Sequence, residues 1–117
     1  MKSVLIVDDS TIMRRIMKHI VTSHGLYVAG EAGNGRIGVE KYKELEPDVV
    51  TMDVTMDEMN GIEALRQIIE HDPEAKVIMV TSMGQEVIVK EALTLGAKGF
   101  ILKPFDERQI MEAVNKL

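Results

Sequence analysis

The chain has 117 residues, 14 Lys and Arg against 19 Asp and Glu, and a net charge of −5; 45% of it is hydrophobic, yet only 3% is aromatic. With no cysteine, a disulfide framework, a thiolate zinc centre and a thiol nucleophile are excluded. The acidic balance argues against nucleic acid as a direct partner. No run approaches the ~20 apolar residues of a membrane span, and the start is too short for a secretion signal, so a soluble cytoplasmic protein without membrane insertion is expected.

Taken in order, short apolar runs alternate with helical periodicity, and no linker-like tract interrupts them. A single domain over 1–117 is expected. Val4-Leu5-Ile6-Val7 reads as a first strand ending at Asp8 and Asp9. Ile12, Met13, Ile16, Met17, Ile20 and Val21 then fall at helical spacing, and His24-Gly25 ends that helix. Tyr27-Val28-Ala29 reads as a weak second strand at an edge. A second helix from Gly35 to Leu45 follows, although Gly38 in its interior costs about 1 kcal/mol against alanine. Pro47 stops it.

Val49-Val50-Thr51-Met52 delivers Asp53 to the end of a third strand, and a loop from Val54 to Asn60 follows. Gly61 opens a third helix on Ile62, Leu65, Ile68 and Ile69, which His71-Asp72-Pro73 closes. Val77-Ile78-Met79-Val80 ends at Thr81. The fourth helix shows Ile88, Ala92 and Leu95, opens on the β-branched run Val87-Ile88-Val89, and is capped by Gly96. Phe100-Ile101-Leu102 ends at Lys103, and Ile110, Val114 and Leu117 mark a fifth helix.

Five strands alternating with five helices predict an α/β doubly wound (βα)5 fold of the flavodoxin-like type. Its parallel five-stranded sheet would run in the order 2-1-3-4-5 with helices on both faces. Such sheets bind ligands beyond the carboxyl ends of the strands where the winding reverses, here between Asp8/Asp9 and Asp53. Two carboxylates ~5 Å apart repel by about 3 kcal/mol at an effective dielectric of 20, so three at one rim call for a cation. Oxygen donors without His or Cys favour a hard ion, and Mg²⁺ suits few protein ligands. A carboxylate, a divalent ion, the Thr81 hydroxyl and the Lys103 ammonium are the parts phosphoryl transfer needs. Taken singly each has an ordinary explanation: an Asp-Asp helix cap, a loop Asp, a strand-end Thr, a solvated Lys. Their conjunction at four strand ends does not.

The motifs Leu-Ile-Val-Asp-Asp, Thr-Met-Asp and Leu-Lys-Pro-Phe, with Thr81 between the last two, resemble the signature of response-regulator receiver domains over essentially the whole chain. The free-standing CheY-like chemotaxis members are the most similar, since no effector domain follows. The resemblance implies that Asp53 accepts a phosphoryl group from a histidine kinase of the CheA type. It implies that Asp9, Asp53 and the backbone carbonyl of Thr55 hold Mg²⁺, with Asp8 acting through a water. Lys103 would bind phosphoryl oxygen, and its bond to Pro104 would be cis. Thr81 would swing toward the phosphoryl group and Phe100 would turn inward behind it. The face of helix four, strand five and helix five would then bind an output partner. That partner would be a flagellar-motor switch protein or, in a phosphorelay, a histidine phosphotransferase; a phosphatase is a further expected partner. The protein would be a monomer that assists its own phosphoryl chemistry without being an enzyme in the ordinary sense. A receiver cut from a longer regulator is a further alternative.

Two features depart from the family pattern. Asp57 stands where a proline is usual, which predicts a looser loop. Thr55 and Met83, at positions that tune hydrolysis, have no acidic group, which predicts slow loss of the phosphoryl group. The lack of a second carboxylate at Thr55 also weighs against an aspartyl-phosphate phosphatase. Gly33-Asn34-Gly35-Arg36-Ile37-Gly38 matches the dinucleotide fingerprint G-x-G-x-x-G, with Asp53 twenty residues after Gly33. It follows the second strand rather than the first, leaves Thr81 and Lys103 unused, and lacks room for a second nucleotide half. His19, His24 and His71 show no ligand spacing and receive no metal role.

Overall fold

The sheet is built by alternation within five short strands. In the computed structural model, which describes residues 2–117, these are β1 (Ser3–Val7), β2 (Tyr27–Ala32), β3 (Val49–Met52), β4 (Val77–Thr81) and β5 (Gly99–Leu102). All pair in parallel in the order β2-β1-β3-β4-β5, as the alternation predicts. The helices are α1 (Thr11–Ser23), α2 (Gly35–Leu45), α3 (Gly61–His71), α4 (Glu86–Leu95) and α5 (Glu107–Asn115).

Because successive strand side chains point to opposite faces, β1 divides its apolar residues between two cores. Val4 and Ile6 pack with Met17, Ile20 and Val21 of α1 and Ile110 and Val114 of α5. Leu5 and Val7 pack with Val39 and Tyr42 of α2, Leu65 and Ile68 of α3 and Ala92 of α4. β1, β3 and β4, apolar but for Ser3, Thr51 and Thr81, are therefore buried on both sides.

Three local expectations change. β2 runs on to Ala32 rather than stopping at Ala29, because a register shift against Val4 and Leu5 leaves Ala29 unpaired and pairing resumes at Gly30. Gly30 fits there because a Cβ would lie 2.8 Å from Leu45 Cδ1. In α1, only Met17, Ile20 and Val21 are buried; Ile12 and Ile16 are 69% and 43% exposed. In α2, Gly38 has a packing reason: a Cβ would lie 3.0 Å from Val7 Cγ1, so its absence lets helix and strand approach. The helix closes on Glu46, in the left-handed conformation, just before Pro47.

Four of the five helices are capped at their N-termini by a side chain: Ser10, Asn34, Asn60 and Asp106, the last in a reciprocal capping box with Gln109. α4 is the exception. Gln85 makes no side-chain cap bond, and Ala92 is its sole fully buried residue.

Across the sheet bottom, Tyr42 Oη donates a 2.7 Å hydrogen bond to Asp72 Oδ2. That bond holds the Asp72 carboxyl below the usual carboxylate range, with help from the Glu74 N–H. A depressed folded pKa gives stability that is present above the ordinary carboxylate value and lost as pH falls through the depressed one. Tyr42→Phe is therefore expected to lower stability at neutral pH and to lose less of it on acidification than the wild type. Urea unfolding midpoints across the acid range measure this, and parallel acid limbs would refute it.

Candidate functional site

Asp8 follows β1 directly, and its N–H donates to the Ala32 carbonyl at 3.0 Å, tying it to β2. Asp53 follows β3, and its N–H donates to the Val7 carbonyl at 3.0 Å. The two carboxylates thus leave adjacent strands at the point where the winding reverses. Thr81 ends β4 and is fully buried. The Lys103 N–H donates to the Thr81 carbonyl at 2.8 Å, and the Lys103–Pro104 peptide is cis.

The side chains converge as follows. Lys103 Nζ donates to Asp8 Oδ2 at 2.8 Å and stands 3.6 Å from Asp53 Oδ2. Asp8 Oδ1 accepts from the Ser10 N–H at 2.9 Å. Asp8, Asp9 and Asp53 each offer a carboxylate oxygen within 4.8 Å of the others; Asp8 and Asp53 are buried and Asp9 is exposed. Beneath them the space bounded by Ile6, Met13, Met17 and Phe105 is only ≈ 10 Å³. The floor is closed.

The electrostatics favour a divalent cation. Three carboxylates against one ammonium leave two uncompensated negative charges. Burial pushes the Asp53 carboxyl above its ordinary range; Lys103 opposes this, Asp8 adds to it, and the Thr81 hydroxyl and Val54 N–H lower it. The donors are all oxygen, as a hard ion requires. Asp8, Asp9 and Asp53 are the side chains that would hold it. Removing Lys103 should leave burial and Asp8 less opposed. Lys103→Met is thus expected to raise the Asp53 pKa further, read from the carboxyl-carbon titration by NMR in metal-free buffer; an unchanged or lower midpoint would contradict this balance.

The remaining predicted residues lie on the loop after β3 and on β4 and β5. Thr55 is exposed on the loop after Asp53, and its hydroxyl donates to Met83 Sδ. Thr81 Oγ1 accepts from the Met83 N–H at 3.2 Å. Phe100 pairs with Met79 while Thr81 pairs with Leu102, so Phe100 and Thr81 are diagonal neighbours on one sheet face. Phe100 is half-buried against the α2-α3-α4 core. Asp57 is exposed and does not join the carboxylate cluster.

One residue of this site was visible in the sequence only as a helix opener. Gly61 N–H donates to the Val54 carbonyl at 2.7 Å, and a Cβ there would fall 1.8 Å from the Asp53 carbonyl oxygen. The loop after Asp53 closes directly onto it. A glycine after Asn is the single sequence signal, and it points equally to a turn.

Comparison with known proteins places these features in context. Residues 4–115 match the family model of the response regulator receiver domain. The chain is 57% identical over 116 residues to the chemotaxis protein CheY of Thermotoga maritima, covering 99% of this chain and 97% of that one. It is 50% identical over 113 residues to CheY of Bacillus subtilis, covering 97% and 94%. Its fold superposes with a TM-score of 0.96, at 41% identity, on a chain of the CheX-CheY-BeF3-Mg complex from Borrelia burgdorferi, covering 98% of this chain and 87% of that one.

Proposed function

The chain belongs to the response-regulator receiver family, and on that premise we propose that Asp53 accepts a phosphoryl group from a histidine kinase and that the protein signals in CheY-type chemotaxis. The carrying observation is the meeting of Asp8, Asp9, Asp53 and Lys103 at one rim. The relatives named CheY support the chemotactic output.

In this reading an Asp53 oxygen attacks phosphorus, the bond from phosphorus to the donor nitrogen breaks, and the electron pair leaves on the imidazole. Asp8, Asp9, Asp53 and the Thr55 carbonyl would hold Mg²⁺. When bound, that ion neutralises charge on the transferring group. The Lys103 ammonium, already between Asp8 and Asp53, needs little movement to meet a phosphoryl oxygen. The floor below keeps bulk water to one side.

The phosphorylated state then biases Thr81. Its hydroxyl would leave the Met83 N–H for a phosphoryl oxygen, drawing the β4-α4 loop with it. Reversing a 1:99 equilibrium takes about 5.5 kcal/mol, and one charge-assisted hydrogen bond gives about 1.5–3 kcal/mol. Thr81 therefore acts together with Lys103 and the burial of Phe100. The weakly anchored α4 is the element that yields.

Delivery of the phosphoryl group is served by the exposed side of α1. Ile12 is exposed there, and Met13, Ile16, Pro104 and Phe105 line an apolar groove of ≈ 420 Å³ that reaches Lys103. An apolar helix carrying phosphohistidine suits this groove. The test is intact mass after incubation with a small phosphodonor and Mg²⁺. A phosphoryl adduct that forms with the ion and fails to form with chelator is expected; no adduct under either condition overturns the reading.

A further inference from the structure

Three amides of the glycine-rich stretch Gly33–Gly38 are already used within the protein. The Ile37 N–H donates to Asn34 Oδ1 at 2.8 Å, the Gly38 N–H to the Asn34 carbonyl at 3.0 Å, and the Gly35 N–H to the Met59 carbonyl at 3.0 Å. The last bond crosses from α2 to the loop that follows Asp53. Gly35 is buried, and a Cβ on it would fall 2.2 Å from the Met59 carbonyl oxygen and 2.9 Å from its carbon. Only glycine allows that approach.

The next residue grips the same loop. Arg36 Nε donates to Glu58 Oε2 at 3.0 Å, while Nη1 donates to Glu40 Oε1 at 3.0 Å. Glu58 has φ +66°, and the Met59 N–H donates to the Asp57 carbonyl at 2.8 Å across it. That is a γ-turn of the strained hand, which a residue other than glycine adopts when its surroundings hold it there. Arg36 holds the side chain at the centre of this turn, and Gly35 holds the carbonyl of the residue that follows it. At its other end the loop is pinned by Gly61 to Val54.

We propose that Gly35 and Arg36 are positioning residues for the acceptor loop: the start of α2 clamps the Glu58 turn and thereby fixes the segment 54–60 beside Asp53. This rests on Asp53 being the phosphoryl acceptor only for its consequence, since the clamp itself is a property of the unmodified chain. The G-x-G-x-x-G pattern is then a device of close packing. Gly35 admits the loop, Gly38 admits Val7, and Arg36 between them supplies the charge.

The decisive measurement is amide hydrogen exchange over residues 55–59, without phosphodonor, together with the phosphorylation rate. Arg36→Ala and Glu58→Ala are each expected to speed loop exchange roughly two- to fivefold, the scale of an exposed ion pair, with exchange in the β1, β3 and β4 strands unchanged. The Arg36→Ala/Glu58→Ala double variant should go no further than either single one. Glu40→Ala, which removes the contact within α2 alone, should leave the loop as it was. Phosphoryl uptake should slow by a similar factor in the Arg36 and Glu58 variants. Wild-type loop exchange in Arg36→Ala, additive effects in the double variant, or an equal effect from Glu40→Ala would each overturn the clamp. If the wild type takes up no phosphoryl group, the functional reading fails, while the exchange data still decide the clamp.

Discussion

Replacing Asp53 with asparagine is expected to abolish phosphoryl capture while making the unmodified protein more stable at neutral pH. Asparagine keeps the shape of the side chain but removes the nucleophilic oxygen's charge, so the intact mass should not change under conditions that modify the wild type. The stability gain follows from the electrostatics. Burial and the neighbouring Asp8 raise the Asp53 pKa despite Lys103. A carboxyl whose folded pKa is raised opposes folding above its ordinary value, and the penalty fades as pH falls and the group is protonated. In metal-free buffer the variant should therefore unfold at higher denaturant than the wild type at pH 7, with the difference shrinking in acid. Modification of the variant at the wild-type rate would remove Asp53 as acceptor. Lower stability at neutral pH would overturn the account of its burial.

The second large effect is structural. Gly61→Ala would drive a Cβ to 1.8 Å from the Asp53 carbonyl oxygen and 2.9 Å from Val54 Cα, both backbone atoms without rotamer freedom. The loop must move, or α3 must. Overpacking against backbone is expected to cost about 2–4 kcal/mol, lowering Tm by roughly 10 °C or more in a chain of this size. The displaced carbonyl belongs to Asp53, the proposed acceptor, so phosphoryl uptake should fall in the fraction that stays folded. A Tm within about 2 °C of wild type, well under the shift of a 1 kcal/mol change, would show that the loop absorbs the extra carbon.

The fold was legible because its strands carry strong, local signals. Val4–Val7 and Val77–Val80 are apolar throughout and Val49–Met52 is apolar but for Thr51, and such runs need burial on both faces. The strand-end Asp8, Asp53, Thr81 and Lys103 meet as the parallel arrangement requires, because every strand delivers its last residue to the same edge. What stayed hidden depends on pairs remote in sequence. That Ile12 and Ile16 face outward is decided by the place of α1 on the sheet, while helical spacing alone groups them with Met17 and Ile20. The extension of β2 depends on a bulge opposite Val4 and Leu5. Gly35, Arg36 and Glu58 meet across two elements, and the bond between Tyr42 and Asp72 spans thirty positions. No periodicity marks these contacts.

The site draws Asp8 from the first strand, Asp53 from the third and Lys103 from the fifth. Asp8 and Asp53 leave adjacent strands, but Lys103 reaches them only once the last strand has docked beside the fourth. A ribosome-bound chain still lacking β5 would hold Asp8 and Asp53 without the Lys103 ammonium that opposes their charge. A half-made chain thus carries its carboxylates bare, and their cation arrives only with the fifth strand.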